Sequence, residues 1–217
     1  MVTRASEFDR GEIVSRVEPF LRESAALGFI GPGSIHDHID HALRLTGAVR
    51  DYVTDETRTL DLGSGGGLPG LVMAVALPEN AMTLLDAQRR RCEFLRRCAD
   101  ILRPDGSMNV VEGRAEVLAR SPLHSQNYEL IVARSFGRPA AVAECAVRYL
   151  TVGGVLAVSE PPAADESRWP VAQLRLLGLG IVERREIPLP VMILTKLVET
   201  PERYPRREGV PTRQPLW

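Results

Sequence analysis

Apolar residues recur at three- and four-residue spacing through residues 1 to about 55. Short apolar runs then alternate with longer amphipathic ones. Phe8, Ile13, Val17, Phe20 and Leu21 form one helical stripe. Gly28, Gly31, Pro32 and Gly33 break it, and Ile39, Leu43 and Val49 resume it. Beyond Thr57 the pattern predicts strands at 57–62, 81–86, 107–112, 128–133 and 154–159. Helices are predicted between them at 69–77, 88–102, 115–119 and 139–150. Such alternation implies a parallel sheet with helices on both faces. Two further strand-like runs, 180–187 and 191–199, are separated only by Pro188-Leu189-Pro190, so they pair as an antiparallel hairpin. The division expected is a helical cap (1–55), an α/β domain (56–199) and a Pro/Arg-rich tail packing on it (200–217). Four prolines in the tail argue against regular structure there.

Composition narrows the partners. A hydrophobic fraction of 44% and a charged fraction of 25% are those of a globular protein. The net charge of −1 excludes a uniformly basic nucleic-acid binder, so any basic contact face is local. Cys92, Cys98 and Cys145 contain no Cys-x-x-Cys pair, which argues against a disulfide framework or structural zinc. No apolar run approaches the roughly 20 residues of a membrane span. The polar start, Met1 to Glu7, has no signal-peptide character. A cytoplasmic location is expected, with neither membrane nor DNA as partner.

The candidate chemistry centres on Leu60-Asp61-Leu62-Gly63-Ser64-Gly65-Gly66-Gly67-Leu68-Pro69-Gly70, at the end of the first predicted strand. Ligands of open α/β sheets bind at the carboxyl ends of strands. Gly63 and Gly65 begin a cluster that permits positive φ and close backbone approach to a ligand. Pro69 suits the first turn of a helix. Nicotinamide-dependent enzymes share the glycine spacing, but Leu68 and Pro69 stand where a dinucleotide fold favours a small residue. Asp86 ends the second strand, where its carboxylate can accept from the ribose hydroxyls of an adenosine ligand.

With these motifs in place, the sequence resembles the RsmG (GidB) family, from about His38 to Pro215. That family methylates N7 of a guanine in 16S ribosomal RNA with S-adenosylmethionine. The loop from Asp61 to Gly70 carries the likeness. So do Arg90-Arg91-Cys92-Glu93-Phe94-Leu95, Gly113-Arg114-Ala115-Glu116, Ala133-Arg134-Ser135 and Gly153-Gly154. The closing Thr200-Pro201-Glu202-Arg203-Tyr204-Pro205-Arg206-Arg207, with Pro215-Leu216, is its most specific element. The resemblance implies a class I methyltransferase fold: Rossmann-like, mostly parallel, with a C-terminal antiparallel hairpin. It places cofactor contacts at Gly63, Leu68, Ala115, Glu116 and Arg134, beside Gly65 and Asp86 from the loop and strand positions. The cap and tail, through His38 and Arg206, are expected to hold the RNA of the small ribosomal subunit.

Three departures stand out. The family's His-Ile-x-Asp-Ser-Leu reads His38-Ile39-Asp40-His41-Ala42-Leu43 here. Its lysine after the fifth strand is replaced by Ser159-Glu160-Pro161-Pro162. Ser135-Phe136-Gly137 is also unusual. The first two fall where acceptor contacts are expected, so a diverged enzyme acting on another RNA or a small molecule stays open. A non-catalytic module binding cofactor or RNA is the third reading. His36, Asp37, His38, Asp40 and His41 invite a metal reading, but this methyl transfer requires no metal and none is expected. Arg89, Arg90, Arg91, Arg96, Arg97 and Arg103 share one predicted helix, read either as a phosphate-binding face or as a solvated one. Guanine N7 carries no proton, so no general base is nominated.

Overall fold

The computed structural model describes residues 8–162, 165–187 and 189–217. The polar start of the chain and Pro188 of the predicted hairpin lie outside them. The order is α1 (Arg10–Ala26), α2 (Ile35–Val49), β1 (Arg58–Leu62), α3 (Gly70–Ala76), β2 (Ala81–Asp86), α4 (Arg89–Leu102), β3 (Met108–Glu112), α5 (Ala115–Leu118) and β4 (Tyr128–Ala133). Then follow α6 (Pro139–Ala146), β5 (Leu150–Ser159), α7 (Val171–Leu177), β6 (Leu179–Arg185), β7 (Val191–Lys196) and α8 (Val210–Arg213). The seven strands form one sheet ordered β3-β2-β1-β4-β5-β7-β6. β7 runs antiparallel to both its neighbours, and the pairs among β1–β5 are parallel. The chain order reverses between β1 and β4, so a crevice opens beyond the carboxyl ends of those two strands.

Strand alternation divides the core into two layers. Leu130 and Val132 of β4 join a cluster with α1–α4, while Ile131 and Ala133 join one with α6 and α7. The cap helices share the first cluster: Val17, Leu21, Ile39 and Leu45 are fully buried with Leu71 and Met73 of α3. α1 ends where Gly28 adopts φ +70°, and Ser34 begins α2 by accepting the His36 N–H.

Several boundaries differ from the sequence reading. α6 stops at Ala146 and β5 begins at Leu150, because Tyr128 already pairs with Leu150 and extends the strand through Gly153-Gly154. α7, missed by the pattern, is a two-turn crossover that ends where Gly178 takes φ +86°. The tail also contains a helical turn, α8, because Pro211 occupies its first turn, where a missing N–H costs nothing.

Candidate functional site

The glycine-rich loop leaves β1 and turns back to begin α3. Asp61, 1% exposed, accepts the Gly70 N–H at 3.1 Å and so satisfies the start of that helix. Burial pushes its carboxyl up to about 7, opposed by hydrogen bonds from Ser64 and Gly70. Gly63, Gly65 and Gly67 all have positive φ. The cap braces the loop from above: Ser24 Oγ donates to Gly66 O at 2.9 Å, and a Cβ on Gly66 would overlap Ser24 and Ile30.

A cleft of about 190 Å³ opens over this loop. Among its walls are Gly63, Gly65, Leu68, His38 and Arg134, five of the residues expected from sequence, together with Phe29, Ile30 and Arg91. Arg134 Nη2 donates to His38 Nδ1 at 3.0 Å. The same ring therefore donates from Nε2 to Gly31 O at 3.1 Å, which fixes a neutral tautomer. Burial pulls the Arg134 pKa down, and the Asp61 charge opposes this. Arg134 Nη1 is buried without a hydrogen-bond partner. A cleft of glycine backbone and Leu68, with an unpaired guanidinium N–H at its edge, fits the amino-acid end of S-adenosylmethionine.

Asp86 lies under the loop. Its carboxylate accepts the Gly65 N–H at 2.9 Å and the Gln88 N–H at 2.8 Å, with Arg91 at 3.7 Å. Ala115 and Glu116 stand at the start of α5 and are not among the cleft's lining residues. Glu116 Oε1 accepts the Gly209 N–H of the tail at 2.8 Å, and Ala115 O accepts the Tyr149 hydroxyl.

Arg206, expected at the RNA, is paired within the protein. Its backbone N–H, Nε and Nη2 all meet Glu144, whose side chain is fully buried, and Nη2 also donates to Gln214 O. The guanidinium anchors the tail on α6 because a buried carboxylate demands a partner. Several arginines on and just after α4 are likewise paired within the protein. Arg103 is buried and donates to Ala74 O and Asn80 O, while Arg89, Arg96 and Arg97 pair with Glu93, Glu112 and Glu23. The cap's polar residues point to separate partners: Asp40 to Arg10, His36 to Glu18, His38 to Arg134 and His41 to Ser159.

A second cavity, of about 370 Å³, adjoins the cleft and shares Arg134 and Ser135 with it. Its walls include His41, Phe136, Ser159, Glu160 and Arg168. Ser135 holds φ +56°, which carries Phe136 over Gly63. The two sequence departures, His41 and Glu160, therefore meet in one place. Ser24, Phe29 and Arg168 were missed from sequence, whereas Phe136 belongs to the segment noted there as unusual. Only Ser24 left a signal, as a small polar residue on an apolar helix face.

His41 lies beside Ser159 Oγ at 3.2 Å. Burial, then the charges of Arg134 and Arg44, lower its pKa from 6.5 to about 4. The unfolded chain therefore binds a proton that the fold excludes. Its stabilising contribution is fully present above pH 6.5 and is lost as pH falls through about 4. Asp61 acts with the opposite sign, its contribution fading as pH rises through about 7. In thermal melts from pH 7 to pH 4, the wild type is expected to lose more Tm than His41→Gln. Parallel curves would refute the assignment.

The model of the family described as rRNA small subunit methyltransferase G matches residues 24–166, well over half of the chain. A Deinococcus radiodurans protein named ribosomal RNA small subunit methyltransferase G is 38% identical over 179 residues, covering 76% of this chain and 68% of its own. One of the same name from Symbiobacterium thermophilum is 34% identical over 191 residues, covering 82% and 78%. Among solved structures, the O-methyltransferase from Bacillus cereus in complex with SAH superposes with a TM-score of 0.57 at 14% identity, covering 84% of this chain and 91% of that one. The T. thermophilus 16S rRNA methyltransferase RsmC, in complex with AdoMet and guanosine, gives 0.50 at 24% identity, covering 79% and 43%. These two show a shared methyltransferase fold.

Proposed function

The chain belongs to the rRNA small subunit methyltransferase G family, and from that membership we propose that it transfers a methyl group from S-adenosylmethionine to N7 of a guanine in 16S ribosomal RNA. The observation that carries the reading is the wall of Arg134 and Ser135 shared by two hollows, one over the glycine loop and one open to an acceptor.

Gly63, Gly65, Leu68 and Arg134 would hold the cofactor's amino-acid part, with Asp86, Ala115 and Glu116 on the adenosine side. When bound, S-adenosylmethionine supplies a methyl group already activated on a sulfonium. Guanine N7 offers an in-plane lone pair with no proton, so the chain needs no general base. Its residues instead supply alignment and a dry site. His38 holds Arg134 in place from the cap, and Phe29 and Ile30 give the cleft an apolar wall. Phe136 places an aromatic face beside the acceptor hollow, where positive charge developing on a purine is favoured. The target base must leave its stack to enter.

We assign residues 1–55 to a cap, 56–199 to the cofactor-binding domain and 200–217 to a tail that braces it. The protein acts in the cytoplasm, where ribosomal RNA is found; among the described residues no helix is long and apolar enough to cross a membrane. Incubating the protein with labelled S-adenosylmethionine and deproteinised 30S subunits is expected to label 16S RNA, with N7-methylguanosine as the nucleoside recovered. A second reading, an altered acceptor, rests on His41 and Glu160 in the acceptor hollow. Cofactor binding without label in 16S RNA would favour it.

A further inference from the structure

The acceptor hollow holds an unusual concentration of unsettled polar groups. Glu160 follows β5 and its side chain is 1% exposed. Its Oε2 has no hydrogen-bond partner and faces Arg168 Nε at 3.3 Å, an ion pair outside hydrogen-bonding geometry. His41 Nδ1, on another wall of the same space, is also buried without a partner. Buried polar atoms are normally satisfied, and an unsatisfied one costs free energy. Several around one cavity indicate a polar ligand that completes them. About 370 Å³ is within the range of small-molecule pockets.

The charges on the walls select the ligand's edge. Guanine presents N1–H and the exocyclic N2 amine side by side, two donors matched to one carboxylate. N7 lies on the opposite side of the same purine. Adenine presents an acceptor at N1 and would set a lone pair against the carboxylate. We propose that Glu160 reads the Watson–Crick edge of the target guanine, accepting from N1–H and N2–H while N7 faces the donor cleft. Glu160 is thus a specificity-determining residue of the reaction, and this assignment rests on the functional reading above. Arg168, at 3.3 Å, orients the carboxylate.

The same contact favours the reaction itself. Methylation at N7 leaves the purine positively charged and its N1–H more acidic. The hydrogen bond to Glu160 therefore strengthens as the methyl arrives, the condition for a contact to accelerate a step. Phe136, carried over Gly63 by the positive φ of Ser135, lines the acceptor hollow beside the purine.

The test uses the full-length enzyme and two 16S RNAs made by splinted ligation. One has guanine and the other inosine at the position the wild type methylates. Inosine keeps N7 and N1–H but lacks the N2 amine. Loss of one hydrogen bond to a charged group predicts a wild-type preference for guanine of roughly 10- to 100-fold in kcat/KM. Glu160→Gln, which keeps the volume, is expected to lower kcat/KM on guanine by a similar factor. It should shrink the guanine-to-inosine ratio to below about 3-fold, with S-adenosylmethionine affinity by calorimetry unchanged. A merely structural role would lower both substrates equally and preserve the ratio, which overturns the proposal. Equal wild-type rates on the two RNAs overturn it without any variant, so a misfolded Glu160→Gln leaves the question answerable. Failure of the wild type to label guanine RNA would overturn the functional reading, and this inference with it.

Discussion

Alanine at Gly63 weakens S-adenosylmethionine binding by at least about 100-fold, equivalent to about 2.7 kcal/mol. Gly63 has φ +74°, and a Cβ there would overlap the Phe136 ring. The backbone term alone costs about 1–2 kcal/mol for an L-residue in the left-handed region. Relief of the overlap requires Phe136 to move, and Phe136 is tied to the strained Ser135 between the two hollows. The added methyl also lies where the loop backbone must approach the cofactor. Calorimetric titration of the variant measures the loss, and a thermal melt should show a Tm lower by several degrees. Gly47→Ala is the control: it sits in α2 with no atom within 4 Å of the added carbon and no positive φ. It is expected to bind normally and melt no lower than wild type. A Gly63→Ala affinity within threefold of wild type would remove the loop from the donor site.

Arg206→Met is expected to cost about 3–5 kcal/mol of stability, because it strands the buried carboxylate of Glu144. For a chain of this length that corresponds to a Tm drop of roughly 6–20 °C. The remaining Arg206 backbone N–H, at 2.7 Å from Glu144 Oε1, places the effect toward the lower figure. The companion pair Glu144→Leu with Arg206→Met removes both charges and should regain much of the loss. Thermal and urea unfolding of the three proteins decide the matter. If Arg206→Met melts like wild type but binds 16S RNA more weakly, the arginine contacts RNA after all. Its paired geometry argues for the structural role, since the same side chain also holds Gln214 O and so ties the tail onto α6.

The tail illustrates why some of the molecule escaped a reading by pattern. Tyr204-Pro205-Arg206 was recognised as a motif, but a motif does not state whom its arginine meets. Arg120 and Arg148 donate to Pro205 O and Tyr204 O, and Gly209 donates to Glu116, so the segment is woven into α5 and α6. Similarly, Arg103 belongs by spacing to a basic helix face. It turns inward because the carbonyls of Ala74, Leu77 and Asn80 need donors. A one-dimensional pattern records charge, but not the carboxylate or carbonyl that claims it. α7 was missed because its seven residues are too short to show a helical period.

Local information determined the alternation of strand and helix, the break at Gly28 and the glycine turn after β1. In each the cause is steric or periodic within a few residues: side chains alternate along a strand, and only glycine enters positive φ cheaply. The donor loop was therefore legible from sequence. The acceptor side was decided by tertiary structure. His41 and Glu160 are 119 positions apart, and only the packing of α2 over the end of β5 brings them to one cavity. Burial there sets the protonation of His41 and leaves Glu160 Oε2 and Arg134 Nη1 without hydrogen-bond partners. Desolvation depends on everything that surrounds a group, and that is fixed only when the chain is folded.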